Sequence, residues 1–251
     1  MDEEIIKKIA TYSDKFVEKY LANVFDGCGM LKDWWQALRY FLHYSFYQGR
    51  TDTISERVER KAMDILERYF AGKSGDELIR LRKENFDQIR EELQKAIGKG
   101  KVGRGRDIDM VISILDFVSG LKEEDKNVVR YSISKIKEGD LEGHFRELDQ
   151  IFSIGPKVAS LYLRDLVHIY SLEKSIKDKD KIYLQPIDVW VRKVAVKTGI
   201  IKDGKLSDDE VRRRIVKACE KIGVSPIKFN QGAWYVGSHS FDILLENLNK
   251  I

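Results

Sequence analysis

Cysteine and proline are both scarce in this chain of 251 residues, with two and three copies respectively. Two cysteines, Cys28 and Cys219, are too few for a disulfide framework, a four-cysteine zinc site or a four-cysteine iron–sulfur cluster. The three prolines, Pro156, Pro186 and Pro226, leave long stretches in which nothing interrupts a helix. Long hydrophobic runs are missing too. The most apolar stretch, Met110 to Val118, is broken by Ser113 and Asp116 and falls far short of the ~20 residues that span a bilayer. The opening residues, MDEEIIKK, are acidic first and carry no apolar h-region, so a secretory signal is not expected. Alternating Val/Ile/Thr-rich segments, internal repeats and low-complexity tracts are likewise absent.

What remains is 43% hydrophobic and 34% charged, too apolar for a disordered chain and too interrupted for a membrane protein. A soluble cytoplasmic protein of one large or two small domains is expected. Lys, Glu and Arg outweigh Asn and Gln, a surface composition that leans towards a thermophilic source. The net charge of +4 is unevenly spread: residues 1–150 carry −2 and residues 151–251 carry +6. The basic second part permits a polyanionic partner, although surplus lysines often mark only a solvated face.

Apolar residues recur at three-to-four spacing, which predicts an all-α fold. Ile5, Ile9, Tyr12, Phe16 and Tyr20 line a first helix, with further helices near 34–42, 58–69, 84–97, 107–119, 126–137, 141–151, 156–171, 188–198 and 238–249. Thr53-x-x-Glu56 and Ser207-x-x-Glu210 fit capping boxes. The aromatics Trp34, Trp35, Tyr40, Phe41, Tyr44, Phe46 and Tyr47 have the spacing of core packing rather than of a single-strand stacking surface. His43, His144, His168 and His239 show no metal-ligand spacing. The literal G-x-G-x-x-G at Gly98, Gly100 and Gly103 follows a helical pattern instead of a strand, so a dinucleotide fingerprint is rejected. KSIKDKDK, residues 174–181, is charge-balanced and reads as a solvated excursion.

Chemistry concentrates in two segments. In LDQIFSIGPKVASLYLRDLV, residues 148–167, a helix ends near Phe152, Ser153-Ile154-Gly155 forms a tight turn, and Pro156 opens the next helix. Backbone N–H groups at such a turn, with the positive end of the helix, can hold a phosphate without reading sequence. Lys157 then falls in the first helical turn, where a cation is disfavoured. In its neutral form it is a nucleophile; as a cation it is a phosphate contact, and the residues alone leave both readings open. In the second segment, Gln185 to Arg192, Asp188 precedes an apolar-periodic helix and suits the N-cap. A cap holds its carboxylate rigidly, as an electrostatic stabiliser of developing positive charge must be held.

Together these segments resemble the helix–hairpin–helix DNA glycosylase superfamily, the group of endonuclease III and 8-oxoguanine glycosylase. Ile151 to Ala159 occupies its L-P-G-h-G-x-K-x-A hairpin, with Ser153 in place of the first glycine, and Ile187 to Lys193 its h-D-x-h-h-x-R motif, with the basic residue one place early. Asp188 lies 31 residues after Lys157, a long separation that coincides with the KSIKDKDK excursion. That length, with the missing cysteine cluster, is most similar to the archaeal 8-oxoguanine DNA glycosylase branch (AGOG).

The resemblance implies two helical subdomains with the active site in the cleft between them, one built from residues 29–171 and the other from residues 1–28 and 172–251. It makes Lys157 the catalytic nucleophile and Asp188 the catalytic carboxylate, and places Ser153, Ile154 and Gly155 on the DNA backbone. It assigns the damaged base to Asn230 and Trp234, which are four residues apart in KFNQGAWYV, with Arg164 in support, seven residues past Lys157. The alternative for Arg164 is an exposed arginine near the DNA backbone. Tyr47 to Asp52 is similar to the segment in which a glutamine, here Gln48, fills the space left by a flipped base. The implied activity is excision of 8-oxoguanine from damaged DNA by a glycosylase that also acts as a lyase, without metal or cofactor, by a monomer. A glycosylase for oxidised pyrimidines and a non-catalytic helix–hairpin–helix binding module are the alternatives.

Overall fold

A computed structural model describes residues 1–22, 25–47, 52–98, 104–122 and 126–247 of the chain. Among these residues the regular structure is entirely helical, as the spacing predicts. Two compact units divide the chain, one formed by Met1–Phe25 with Leu163–Ile251 and the other by Asp26–Tyr162. No helix among the described residues is long and apolar enough to cross a membrane.

The chain begins with α1 (Glu3–Thr11) and α2 (Ser13–Val17), which runs into a wider π turn at Glu18–Ala22. The continuous apolar spacing predicted one long helix here; the structure re-phases it at Tyr12 and again at Glu18. The middle of the chain then holds α3 (Gly27–Lys32), α4 (Trp34–Ser45), α5 (Asp52–Phe70), α6 (Gly75–Lys83), α7 (Asp87–Ile97), α8 (Arg104–Ser119), α9 (Val128–Lys137) and α10 (Leu141–Asp149). Beyond them come α11 (Pro156–Ile169), α12 (Val189–Lys197), α13 (Asp208–Lys221) and α14 (Pro226–Asn247). Thr53 lies inside α5 rather than at its cap, so the first expected capping box is not used. Ser207 does cap α13, its Oγ accepting the Glu210 N–H at 3.3 Å.

In the 26–162 unit α4 packs against α3, α5, α8 and α9, and α10 against α9. The aromatics of α4 form its core: Trp35, Tyr40 and Phe41 are at most 2% exposed, and Phe41 meets the Tyr162 ring at 4.8 Å. A polar cluster is sealed in this unit. The His144 ring contacts Ser132 Oγ at 2.8 Å through Nε2 and Glu147 Oε2 at 3.0 Å through Nδ1, while Ser132 Oγ also meets Tyr162 Oη at 2.8 Å. Burial alone would raise the Glu147 carboxyl, but hydrogen bonds from His144 and Tyr131 hold it below the usual range. His144 is fully buried and has no path to a substrate, so the Ser–His–Glu order here fastens α9 to α10 and α11.

The other unit is organised around α14, against which α1, α2, α12 and α13 pack. Ile6, Ile9, Val191, Val194, Ile215, Phe229 and Val236 form its core. Two glycines within α14 explain the close approach. A Cβ on Gly232 would stand 1.9 Å from the Ile9 carbonyl oxygen, and one on Gly237 would stand 2.6 Å from Trp190 Cβ. The 174–181 segment is less solvated than its charges suggest, because Ile176, just after one turn of 3-10 helix, and Asp180, within the next, are both buried.

Candidate functional site

The hairpin starts where α10 ends. Ile151 and Ile154 are buried and anchor the turn, and the Ile154 N–H closes it on the Ile151 carbonyl at 2.9 Å. Ser153 has φ +69°, the left-handed region a glycine would occupy freely. Its Oγ accepts Arg106 Nε at 2.7 Å, tying the turn to the start of α8. Phe152 stands 49% exposed beside it. Pro156 is the first residue of α11, as its lack of an N–H predicts.

The Gly155 carbonyl accepts the Val158 and Ala159 N–H groups at 2.9 and 3.1 Å, but the Gly155 and Lys157 N–H groups have no acceptor among the described residues. Nothing lies within 4 Å of a Cβ built on Gly155, so the approach to these donors is open. Two free N–H groups at the positive end of a fourteen-residue helix form an anion-binding arrangement. Lys157 is half-buried here, and its ammonium has no carboxylate or hydrogen-bond partner among the described residues.

Asp188 caps α12. Its backbone is extended (φ −121°, ψ −174°) and a single oxygen, Oδ1, accepts both the Trp190 and the Val191 N–H, at 2.9 and 2.8 Å. The second oxygen has no partner among the described residues and remains available, with the carboxylate half-buried. Val189 next to it is 58% exposed. Lys157 belongs to the 26–162 unit and Asp188 to the other.

The residues expected to bind the base divide sharply. Trp234 is half-buried, its ring edge-on to Phe16 and Tyr20 at 5.7 and 5.1 Å. Asn230 and Arg164 lie inside the protein, at 0% and 1% exposure, so Arg164 is not the exposed arginine of its alternative reading. The Arg164 guanidinium forms a two-pronged pair with Asp165 at 2.7 and 2.8 Å, donates to Asn230 Oδ1 at 2.8 Å and lies 4.8 Å from the Phe16 ring centroid. Asn230 Nδ2 donates to the Pro186 carbonyl at 3.2 Å. With both ends of the amide occupied, Asn230 fastens the protein to itself in this conformation instead of facing a ligand. Gln48 lies outside the described residues.

Asp165, Gln231 and Ser13, which the sequence did not single out, extend the same buried cluster. Gln231 Nε2 donates to Asp165 Oδ1 at 2.9 Å and Ser13 Oγ donates to Gln231 Oε1 at 2.7 Å. The available signal was the adjacent Arg164-Asp165 pair set in the apolar run VASLYLRDLV, since two charges enter such a run only when paired. No group of His, Cys, Asp and Glu among the described residues has the geometry to hold a metal ion. A shallow depression of about 630 Å³ is lined by Met1–Glu4 and Lys197–Gly199 and includes neither Lys157, Asp188 nor a residue of the hairpin.

No family model, curated protein or solved structure matches this chain.

Proposed function

We propose that the chain is a DNA glycosylase with lyase activity that removes 8-oxoguanine. The observation that carries this reading is the half-buried Lys157 in the first turn of α11, beside a hairpin with two backbone N–H groups, none of which has a partner among the described residues. A binding module can use the donors, and Lys157 as a phosphate contact, but has no need of both Lys157 and the capping carboxylate of Asp188. The resemblance of the hairpin and of the Asp188 segment to the helix–hairpin–helix glycosylases supplies the chemistry.

The damaged nucleotide leaves the stack, because its C1′ is out of reach within the duplex. Neutral Lys157 Nζ attacks C1′, the C1′–N9 bond breaks and 8-oxoguanine departs with the bonding electron pair. By the resemblance, the Asp188 carboxylate takes up the proton lost from the amine and stabilises the oxocarbenium-like charge. The nitrogen lone pair then breaks the C1′–O4′ bond, O4′ takes the proton held by the carboxyl, and a protonated Schiff base links Nζ to C1′. The departed 8-oxoguanine anion takes a C2′ proton, the C3′–O3′ bond breaks and expels the 3′ phosphate, and the strand is nicked while the hairpin N–H groups hold a backbone phosphate.

Borohydride reduction during incubation with an 8-oxoguanine duplex tests this reading. The wild-type chain is expected to form a covalent DNA adduct and Lys157→Ala none. DNA binding without an adduct would establish the non-catalytic module instead, and an adduct that persists in Lys157→Ala would overturn the role of Lys157. A duplex with an oxidised pyrimidine, run in parallel, tests the substrate class.

A further inference from the structure

The segment that delivers Asp188 to its position has no helical or strand partner for its own carbonyls. Gln185, Pro186 and Ile187 are all buried, at no more than 4% exposure for the first and the last. Their backbone polar groups must nevertheless be paired, since an orphaned buried carbonyl is costly. Two side chains from different helices do this at consecutive positions. Arg212 Nε of α13 donates to the Gln185 carbonyl at 3.1 Å, and Asn230 Nδ2 of α14 donates to the Pro186 carbonyl at 3.2 Å.

Neither side chain is free to wander. Arg212 is 4% exposed and its Nη1 pairs with Asp209 at 3.0 Å. Asn230 sits between a group that can only donate, the Arg164 guanidinium, and one that can only accept, the Pro186 carbonyl, so the orientation of its amide is dictated. Arg164 is locked by Asp165, Asp165 accepts from Gln231, and Gln231 accepts from Ser13 of α2. Every donor in this chain of buried groups has an acceptor, and it ends on the carbonyl two residues before Asp188.

We infer that Asn230 and Arg212 are positioning residues for Asp188: they clamp the Gln185 and Pro186 carbonyls and so fix the cap and the direction of the free carboxylate oxygen. Neither touches the substrate. This rests on the proposed role of Asp188 in the reaction, but the clamp itself is a statement about structure and can be read without any activity.

The experiment uses the full chain, wild type and two variants, Asn230→Ser and Arg212→Met, each of which removes one clamp. Hydrogen exchange is measured at the Trp190 and Val191 amides, the two that Asp188 caps, and at Ile215 and Val216 within α13 as controls. Each variant is expected to speed exchange at the capped amides by roughly fivefold relative to the controls, the worth of a lost cap, and to melt below wild type because a buried carbonyl loses its donor. Unchanged protection at Trp190 and Val191 in a folded variant overturns the clamp, whatever the activity. Because the variants act on different carbonyls from different helices, one failing to fold leaves the other to decide.

Single-turnover cleavage of the 8-oxoguanine duplex is then compared with binding of an uncleavable abasic duplex. The expected result is a rate about 10- to 100-fold lower at unchanged affinity, because small misplacements of a catalytic group cost that much. In an Asp188→Asn background the same substitutions should add nothing further; an additive loss there would show that they act elsewhere and would overturn the positioning role. An inactive wild type with the expected exchange pattern would sink the proposed function while leaving the clamp standing.

Discussion

Gly232 offers the sharpest test of the packing, because two physical effects predict opposite signs for its replacement. It lies inside α14, where a change from glycine to alanine normally stabilises by about 1 kcal/mol through helix propensity. An alanine Cβ there would meet Ile9 O at 1.9 Å, Ile9 C at 2.9 Å and Ser13 N at 3.4 Å. The obstacle is backbone, not the end of a flexible side chain, so α1 and α14 must separate by about 1.5 Å to restore ordinary van der Waals contact. With repacking around the shifted helices, a residual gap of roughly 0.5–1 Å forfeits a quarter to a half of the dispersion attraction across it. Ile6, Ile9, Phe229 and Val236 are fully buried in this core, and burial of such residues stabilises by roughly 1.5–3 kcal/mol each. Weakening their contacts across the gap costs roughly 2–4 kcal/mol in total, which leaves a net loss of about 1–3 kcal/mol after the propensity gain. At roughly 2–4 °C per kcal/mol for a chain of this size, Gly232→Ala should melt about 2–12 °C below wild type by circular dichroism. Gly105→Ala is the control, since Gly105 is an exposed position in α8 with nothing within 4 Å of a Cβ, and it should melt at or above wild type. A Gly232→Ala chain as stable as wild type would refute the close approach of the two backbones.

Asp188→Asn keeps an oxygen to accept the Trp190 and Val191 N–H groups, so it should fold with wild-type stability yet lose borohydride trapping, whereas Asp188→Ala should also lose about 1 kcal/mol in denaturant unfolding. Burial pushes the Cys219 thiol up to about 12, while Cys28 is exposed; native alkylation followed by mass spectrometry should modify Cys28 and reach Cys219 only after unfolding. Burial lowers the His168 imidazole below its ordinary 6.5, against an opposing pull from Asp165. Its folded value is therefore depressed, the unfolded chain takes up the proton first as pH falls, and the stability contribution present above pH 6.5 is lost below it. His168→Gln should flatten that part of the stability–pH curve in urea titrations; an identical slope in the variant would show that His168 is not responsible.

The parts of the fold that local chemistry controls were legible before the structure. Pro156 opens α11, Asp188 caps α12 and Ser207 caps α13, because each choice depends on a few neighbouring backbone groups. Where tertiary packing decides, the reading diverged. The spacing places a helix only near 238–249, whereas α14 runs over Pro226–Asn247 and carries Gly232 and Gly237 where Ile9 and Trp190 come too close for a side chain. Thr53 had a cap's sequence context and lies within α5 instead. Arg164 and Asn230 carry the chemistry of a ligand contact, and spacing alone cannot tell a polar group facing a ligand from one that satisfies a buried partner. Their complements, Asp165 and the Pro186 carbonyl, come together only in three dimensions.

Ser153 has a consequence for how the hairpin meets a partner. A serine holds φ +69° only against a steric preference of roughly 1–2 kcal/mol, and the Arg106 tether and the buried flanks Ile151 and Ile154 keep it there. A glycine would explore many more conformations, and freezing them on contact would weaken binding. The serine moves that ordering cost from association to folding. For the phosphate contact proposed for the hairpin the turn is thus ordered in advance, so a loss of the Arg106–Ser153 tether should show first as weaker phosphate binding rather than as a change in the proposed chemistry.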